Sequence, residues 1–167
     1  MTMLKSLLVL CAVAVVAPQY GDAQAAVQVE PPNLQGPRVL EDQTAKAVVR
    51  DYLQAWQNLN VALGQNRADV LGASFVGTVK DKLSETIQQQ VALGMSTHYQ
   101  DRSHDIQIVF YSPEGLSVEL QDKVEYDVQV LDHGKVQATK RVNARYTVVM
   151  TPAEVRWRVR VLQAEPE

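Results

Sequence analysis

Cysteine is nearly absent: Cys11 is the single one in 167 residues. A disulfide framework and any multi-cysteine zinc or iron–sulfur centre are thereby excluded. Positive charge is not in excess either. Sixteen Lys+Arg stand against 19 Asp+Glu, a formal charge of −3, which argues against a generally basic nucleic-acid binder. Aromatics are sparse at 6%, yet two Trp, six Tyr and two Phe are enough to seed a core, so the chain is not disordered throughout. There is no glycine-rich phosphate loop and no Gly-x-Ser-x-Gly elbow. His98 and His104 have no further ligand at a supporting spacing, so neither a metal nor another cofactor is expected.

Long apolar runs are limited to one, the twelve residues Ser6 to Ala17. As a helix it would span about 18 Å, short of the roughly 30 Å hydrocarbon layer. Lys5 precedes it, Pro18, Tyr20, Gly21 and Asp22 break it, and Ala23-Gln24-Ala25 offers small residues at a cleavage site. Residues 1–25 therefore read as a secretory leader released near Ala25/Ala26, which places the protein outside the cytoplasm, in a periplasm or beyond. Membrane contact is expected only if this segment is retained. Leu10 before Cys11 does not suit a lipoprotein signal, so Cys11 leaves with the leader and thiol chemistry leaves with it.

Residues 26–41 carry Pro31, Pro32, Gly36 and Pro37 with little periodicity and read as an extended or disordered Pro-rich linker. From Asp42 the period is helical. Ala45, Val48, Tyr52, Trp56, Leu59 and Leu63 share one face, and Gly64 is a stop. Asn66 with Asp69, and Thr78 with Asp81, have capping-box spacing. The second pair opens a helix with the stripe Val79, Leu83, Ile87 and Val91, closed by Gly94.

After Tyr99 the period becomes two. Ile106, Ile108 and Phe110 alternate with polar residues; then come Leu116, Val118, Leu120, Val124, Tyr126, Val128 and Val130. Val136, Ala138, Val142, Ala144, Tyr146, Val148 and Met150 follow, then Val155, Trp157, Val159 and Val161. This predicts a four-stranded antiparallel meander with one apolar face. A loop Asp132-His133-Gly134 would set Val130 against Val136 and Glu125 against Arg141. The last hairpin would set Met150 against Val155, Val148 against Trp157 and Arg145 beside Arg160.

Helices followed by a curved antiparallel sheet, with Tyr52-Leu53-Gln54-Ala55-Trp56-Gln57 on the first helix, resemble the nuclear-transport-factor-2-like superfamily. So do Arg145-Tyr146-Thr147-Val148-Val149-Met150 and Val155-Arg156-Trp157-Arg158-Val159 at the end. That superfamily includes SnoaL-like and ketosteroid-isomerase-like proteins and the inner-membrane-translocase-like domains. The resemblance implies one α+β domain over 42–163, a cystatin-like cone with N-terminal helices on the concave face of the sheet. Residues 164–167 would be a disordered tail. It also implies a conical pocket, in whose enzymes an Asp or His does the chemistry.

Two polar residues break the even-position pattern, Asp122 and Lys140, and His104 joins them if the first strand includes it. A loop over Tyr111–Gly115 would bring His104 opposite Asp122, with Ala144 across from Asp122 and Tyr146 diagonal to it. The expected ligand pocket is Tyr52, Trp56, His104, Asp122, Tyr126 and Tyr146. A His104–Asp122 pair could perform acid–base work. The alternative is a bulge or a wet rim at Asp122, with His104 ahead of the strand. Lys140, near a hairpin tip, is expected in solvent. On the outer face Arg141, Arg145, Arg156, Arg158 and Arg160 form a basic stripe, either a partner surface or a charged guard against edge pairing. The favoured reading is an exported non-enzymatic domain that binds a small apolar ligand, a peptide or a protein, as monomer or dimer. The alternative is an isomerase- or dehydratase-like enzyme using His104 and Asp122.

Overall fold

The computed structural model describes residues 24–165. The expected leader, with Cys11, lies outside the described residues except for Gln24 and Ala25. In chain order the elements are β1 (Ala26–Val29), α1 (Asp42–Gly64), a 3-10 helix (Ala68–Ala73), α2 (Thr78–Leu93), β2 (Met95–Tyr111), β3 (Val118–Asp132), β4 (Lys135–Ala153) and β5 (Arg156–Ala164). The sheet order is β1-β2-β3-β4-β5.

The meander is antiparallel from β2 to β5, as its alternation requires, but the sheet has five strands rather than four. The added strand comes from the expected linker. β1 pairs in parallel with β2, Val27 beside His104 and Val29 beside Ile106. The chain then stays extended along β2, with Glu30 N donating to Ile106 O and Asn33 N to Ile108 O. Pro31 and Pro32 break no ladder because they lie beyond the strand, at the sheet's edge. Four residues with weak patterning form a strand here because β2 offers a free edge, a cause that periodicity cannot report.

α1 spans about 34 Å by its 23 residues and lies across the sheet. It buries Val48, Tyr52, Ala55, Trp56, Leu59, Ala62 and Leu63. They meet Ile106, Ile108, Leu120, Val124, Tyr126, Val148, Met150, Trp157 and Val159 from the apolar sheet face. Asp51 on the same helix accepts the Trp157 backbone N–H at 2.8 Å, fixing α1 to the start of β5. Ser74 and Val76 close part of the β5 edge through Val159.

The helix caps differ from expectation. Asn66 is no cap: its backbone is left-handed (φ 54°) and its side chain donates to Met95 O. Gly77 (φ 64°) precedes α2, and Thr78 is already helical. The α2 face is rotated so that Ile87 and Gln90 are buried while Val91 is exposed. Gln90 donates to Leu63 O at 3.0 Å and to Asn66 Oδ1 at 2.8 Å, occupying the end of α1. Gly94 closes α2 as expected, with φ 67°.

Parity survives for most positions, but through bulges rather than through the expected loops; Phe110 is an exception, because an extra residue at Val109 pairs it with Glu119 and puts Tyr111, beside Val118, into the core instead. His133 (φ 45°) and Gly134 (φ 77°) form a two-residue turn, setting Asp132 against Lys135 and Leu131 against Val136. That turn would place apolar residues opposite polar ones. An extra residue, Gln137, restores the match, and Val130 faces Ala138. Glu125 consequently faces Asn143, and Arg141 faces Asp127. The last hairpin also turns in two residues, Glu154 and Val155, so Trp157 faces Pro152 and Val159 faces Met150. Arg160 is the extra residue there, and the bulge shifts β5 so that Val148 faces Leu162 while Val161 is exposed. Arg145 lies beside Glu165, not Arg160: Glu165 N donates to Arg145 O at 2.8 Å. The expected disordered tail is thus ordered at Ala164 and Glu165. Leu116, Val136 and Val155, assigned to the apolar face by parity, are exposed because they lie in or next to turns.

Candidate functional site

The concave face carries a buried polar centre. His104 on β2 is 2% exposed and Asp122 on β3 is fully buried. The β2–β3 register places Ile106, not His104, opposite Asp122, while His104 pairs with Val124. The two side chains meet on the diagonal, His104 Nδ1 to Asp122 Oδ2 at 2.7 Å. Tyr52 of α1 donates to the same oxygen at 2.8 Å, and the Asp105 backbone N–H donates to Oδ1 at 3.1 Å. Asp122 faces Tyr146 across β4, where Ala144 was expected. The Tyr146 hydroxyl is paired with that of Tyr126 at 3.1 Å. Trp56 fills the middle, with ring centroids 5.4 Å from His104, 5.5 Å from Tyr146 and 6.0 Å from Tyr126.

All six expected pocket residues therefore converge, but they fill the hollow they were expected to line. The gap deeper in, between Tyr52, Ala55, Trp56, Leu59, Phe75, Val159 and Leu162, is too narrow for a water molecule. Open space lies at the side of the cone. A cleft of about 340 Å³ is lined by Gln24, Ala25, Val27, Leu53, Gln57, Asn60, Tyr99, Gln100, Asp101 and His104. His104 is where the buried centre reaches it.

Asp101, Tyr99 and Asn60 were not legible as site residues. Asp101 and Tyr99 occupy odd positions, which parity assigns to the outer face. A bulge at Arg102 shifts β2 by one residue, so Asp101 faces Tyr126 and Tyr99 faces Val128 on the concave side. Tyr99 stacks edge-on to Tyr126 at 5.3 Å. Asp101 Oδ2 comes within 3.8 Å of His104 Nε2.

The electrostatics follow from these partners. Burial by itself would discharge His104, but the nearby Asp101 carboxylate at 3.8 Å and the hydrogen-bonded Asp122 carboxylate outweigh it and raise its pKa from 6.5 to about 9. His104 is an imidazolium at neutral pH. Burial, then the Asp122 charge, pushes the Tyr52 phenol well above its ordinary value. Burial and the Tyr126 hydroxyl do the same for Tyr146.

The outer face is a mosaic of ion pairs rather than a bare stripe. Arg141 Nε contacts Asp127 at 2.9 Å and Glu125 at 3.5 Å. Arg102 also pairs with Asp127, and the two guanidiniums, Arg102 foremost, hold that carboxyl at about 2. Arg145 lies 3.8 Å from Glu165. Arg156 and Arg160 are exposed on β5, Arg158 is half-buried, and Lys140 is in solvent as expected. Among the described residues no group of His, Cys, Asp and Glu is placed to hold a metal ion. No helix among them is long and apolar enough to cross a membrane.

Neither a family model nor a curated protein matches the sequence. Solved structures do. The intermembrane space region of the chloroplast protein ARC6 aligns with a TM-score of 0.62 at 14% identity, over 77% of this chain and 98% of that one. A putative scytalone dehydratase from Novosphingobium aromaticivorans aligns at 0.52 and 13%, over 75% and 89%. The Kfla4162 protein from Kribbella flavida aligns at 0.51 and 9%, over 72% and 90%. The fold is the nuclear-transport-factor-2-like cone. On this cone an enzyme-like protein and an organelle-envelope domain stand side by side, so function must be argued from the site.

Proposed function

We propose that this cone is an exported, non-enzymatic binding domain whose ligand enters the cleft beside His104. The observation that carries this is the state of the expected dyad. Each Asp122 oxygen already accepts a hydrogen bond within the protein, and the carboxylate has no exposure. Its partner His104 is held as a cation near neutral pH. A proton-abstracting base needs a free acceptor atom within reach of the substrate, and the buried, fully hydrogen-bonded Asp122 carboxylate and the protonated His104 offer none. The buried ion pair instead locks α1 to β2 and β3 and makes a rigid floor for the cleft. Gln24, Gln57, Asn60, Gln100 and Asp101 give the cleft carboxamide and carboxylate groups, and Ala25, Val27, Leu53 and Tyr99 give it apolar surface, so it suits a small ligand with a polar end and an apolar body rather than the wholly apolar one expected from the sequence.

The test is native mass spectrometry of the exported protein, with its N-terminus read from the intact mass. A copurifying small molecule lost on Asn60→Leu supports the binding reading; a start far from Ala26 removes the export reading. The second reading, an isomerase- or dehydratase-like enzyme, draws on the access of His104 to the cleft and on the dehydratase-like neighbour. Turnover of a carbonyl or lactone substrate that disappears in His104→Gln would establish it and overturn the first.

A further inference from the structure

We infer that the cleft beside His104 is a site for a primary ammonium group. This rests on the binding reading above and names the chemical class the site takes. The ring nitrogens of His104 face Asp122 Oδ2 at 2.7 Å and Asp101 Oδ2 at 3.8 Å. One imidazolium between two carboxylates leaves the centre with a net charge of −1. Two acceptors at the cleft, Asp101 Oδ1 and Asn60 Oδ1, are buried and take no hydrogen bond from any described residue. A buried acceptor without a donor is costly, more so on a carboxylate.

A primary ammonium corrects both deficits at once. It brings one positive charge and three N–H donors. A neutral hydroxyl would bring one donor and no charge, and an anion would be repelled by Asp101. Tyr99, Leu53 and Val27 supply an aromatic face and methyl groups beside the polar floor, which suits the carbon stem of an alkylammonium.

Two sources can provide this group. One is a free small amine. The other is the chain itself. Ala25 and Val27 both line the cleft, so the Ala26 backbone lies between two of its wall residues. Ala26 pairs with Ser103, two residues from Asp101, across a strand spacing of about 4.8 Å. In a chain released after Ala25, the Ala26 nitrogen is an α-ammonium, and the Gln24 and Ala25 part of the cleft wall is gone.

The experiment uses the exported protein with its start confirmed by intact mass. Its α-amine is titrated by competitive acetylation, and methylammonium chloride is titrated in while the His104 imidazole is followed by NMR. Tetramethylammonium chloride and sodium acetate are the controls. If the terminus is the ligand, its pKa lies about one unit above the ordinary 7.7–8.0, about tenfold in proton affinity, and returns to that range in Asp101→Asn. If a free amine is the ligand, methylammonium gives a saturable shift at His104 that weakens about tenfold or more in Asp101→Asn. Asn60→Leu, which keeps Asp101 intact, must weaken the same signal. An ordinary α-amine together with no response to methylammonium overturns the inference. So does a saturable response to acetate, which would leave the binding reading standing; copurification of no ligand of any class, with turnover present, would instead remove that reading.

Discussion

The charge state of His104 has a consequence for stability that can be worked from the structure. Its pKa is raised in the folded protein to about 9, against 6.5 for the free side chain. A raised pKa means the folded state binds the proton more tightly. The stabilisation is therefore complete below pH 6.5 and is lost as pH rises through 9. At about 1.4 kcal/mol per unit the shift corresponds to about 3 kcal/mol, a large part of the total for a domain this size. The side chain is nearly inaccessible to solvent, so little of this is screened away. Urea unfolding followed by tryptophan fluorescence at intervals from pH 6 to 9.5 should show the midpoint falling steadily above pH 7. His104→Gln should be less stable at pH 6 and nearly flat over the same range. Parallel slopes for the two proteins would show that His104 folds uncharged and would refute the electrostatic account of the site.

Further outcomes follow from other contacts. Asp122→Ala strands the Tyr52 hydroxyl and the His104 cation in the core and should cost about 3–5 kcal/mol by chemical denaturation, whereas Tyr52→Phe should cost about 1. Gly94→Ala should destabilise by about 1 kcal/mol, since the residue has φ 67°, where a Cβ is strained, while the nearby His133 ring is exposed and can swing aside. Glu154→Gly should raise the thermal midpoint, worth about 0.5–1 kcal/mol, because Glu154 holds φ 48° in a two-residue turn. Arg141→Ala, at an exposed pair, should change stability by less than about 1 kcal/mol, an effect that shrinks further in high salt.

Much of the architecture was present in the periodicities. A helical stripe through Val48, Tyr52, Trp56 and Leu59 and an even-numbered apolar set from Ile106 to Met150 are statements about which side of an element avoids water. They need no knowledge of the partner, so helix and sheet could be placed face to face. The meeting of His104 with Asp122 was legible for the same reason: both break the apolar pattern on the same side. Tertiary structure decided what a period cannot encode. Bulges at Arg102, Val109, Gln137 and Arg160 shift strands by one residue, and their positions depend on how the whole sheet bends around α1. One of them carries Tyr99 and Asp101 to the concave face, where they make the cleft. β1 exists because β2 has an edge to pair with, and its own four residues announce little. The hollow was lost because volume is set in three dimensions: Tyr52, Trp56, Tyr126 and Tyr146, each placed correctly on its element, together occupy the space they were expected to surround.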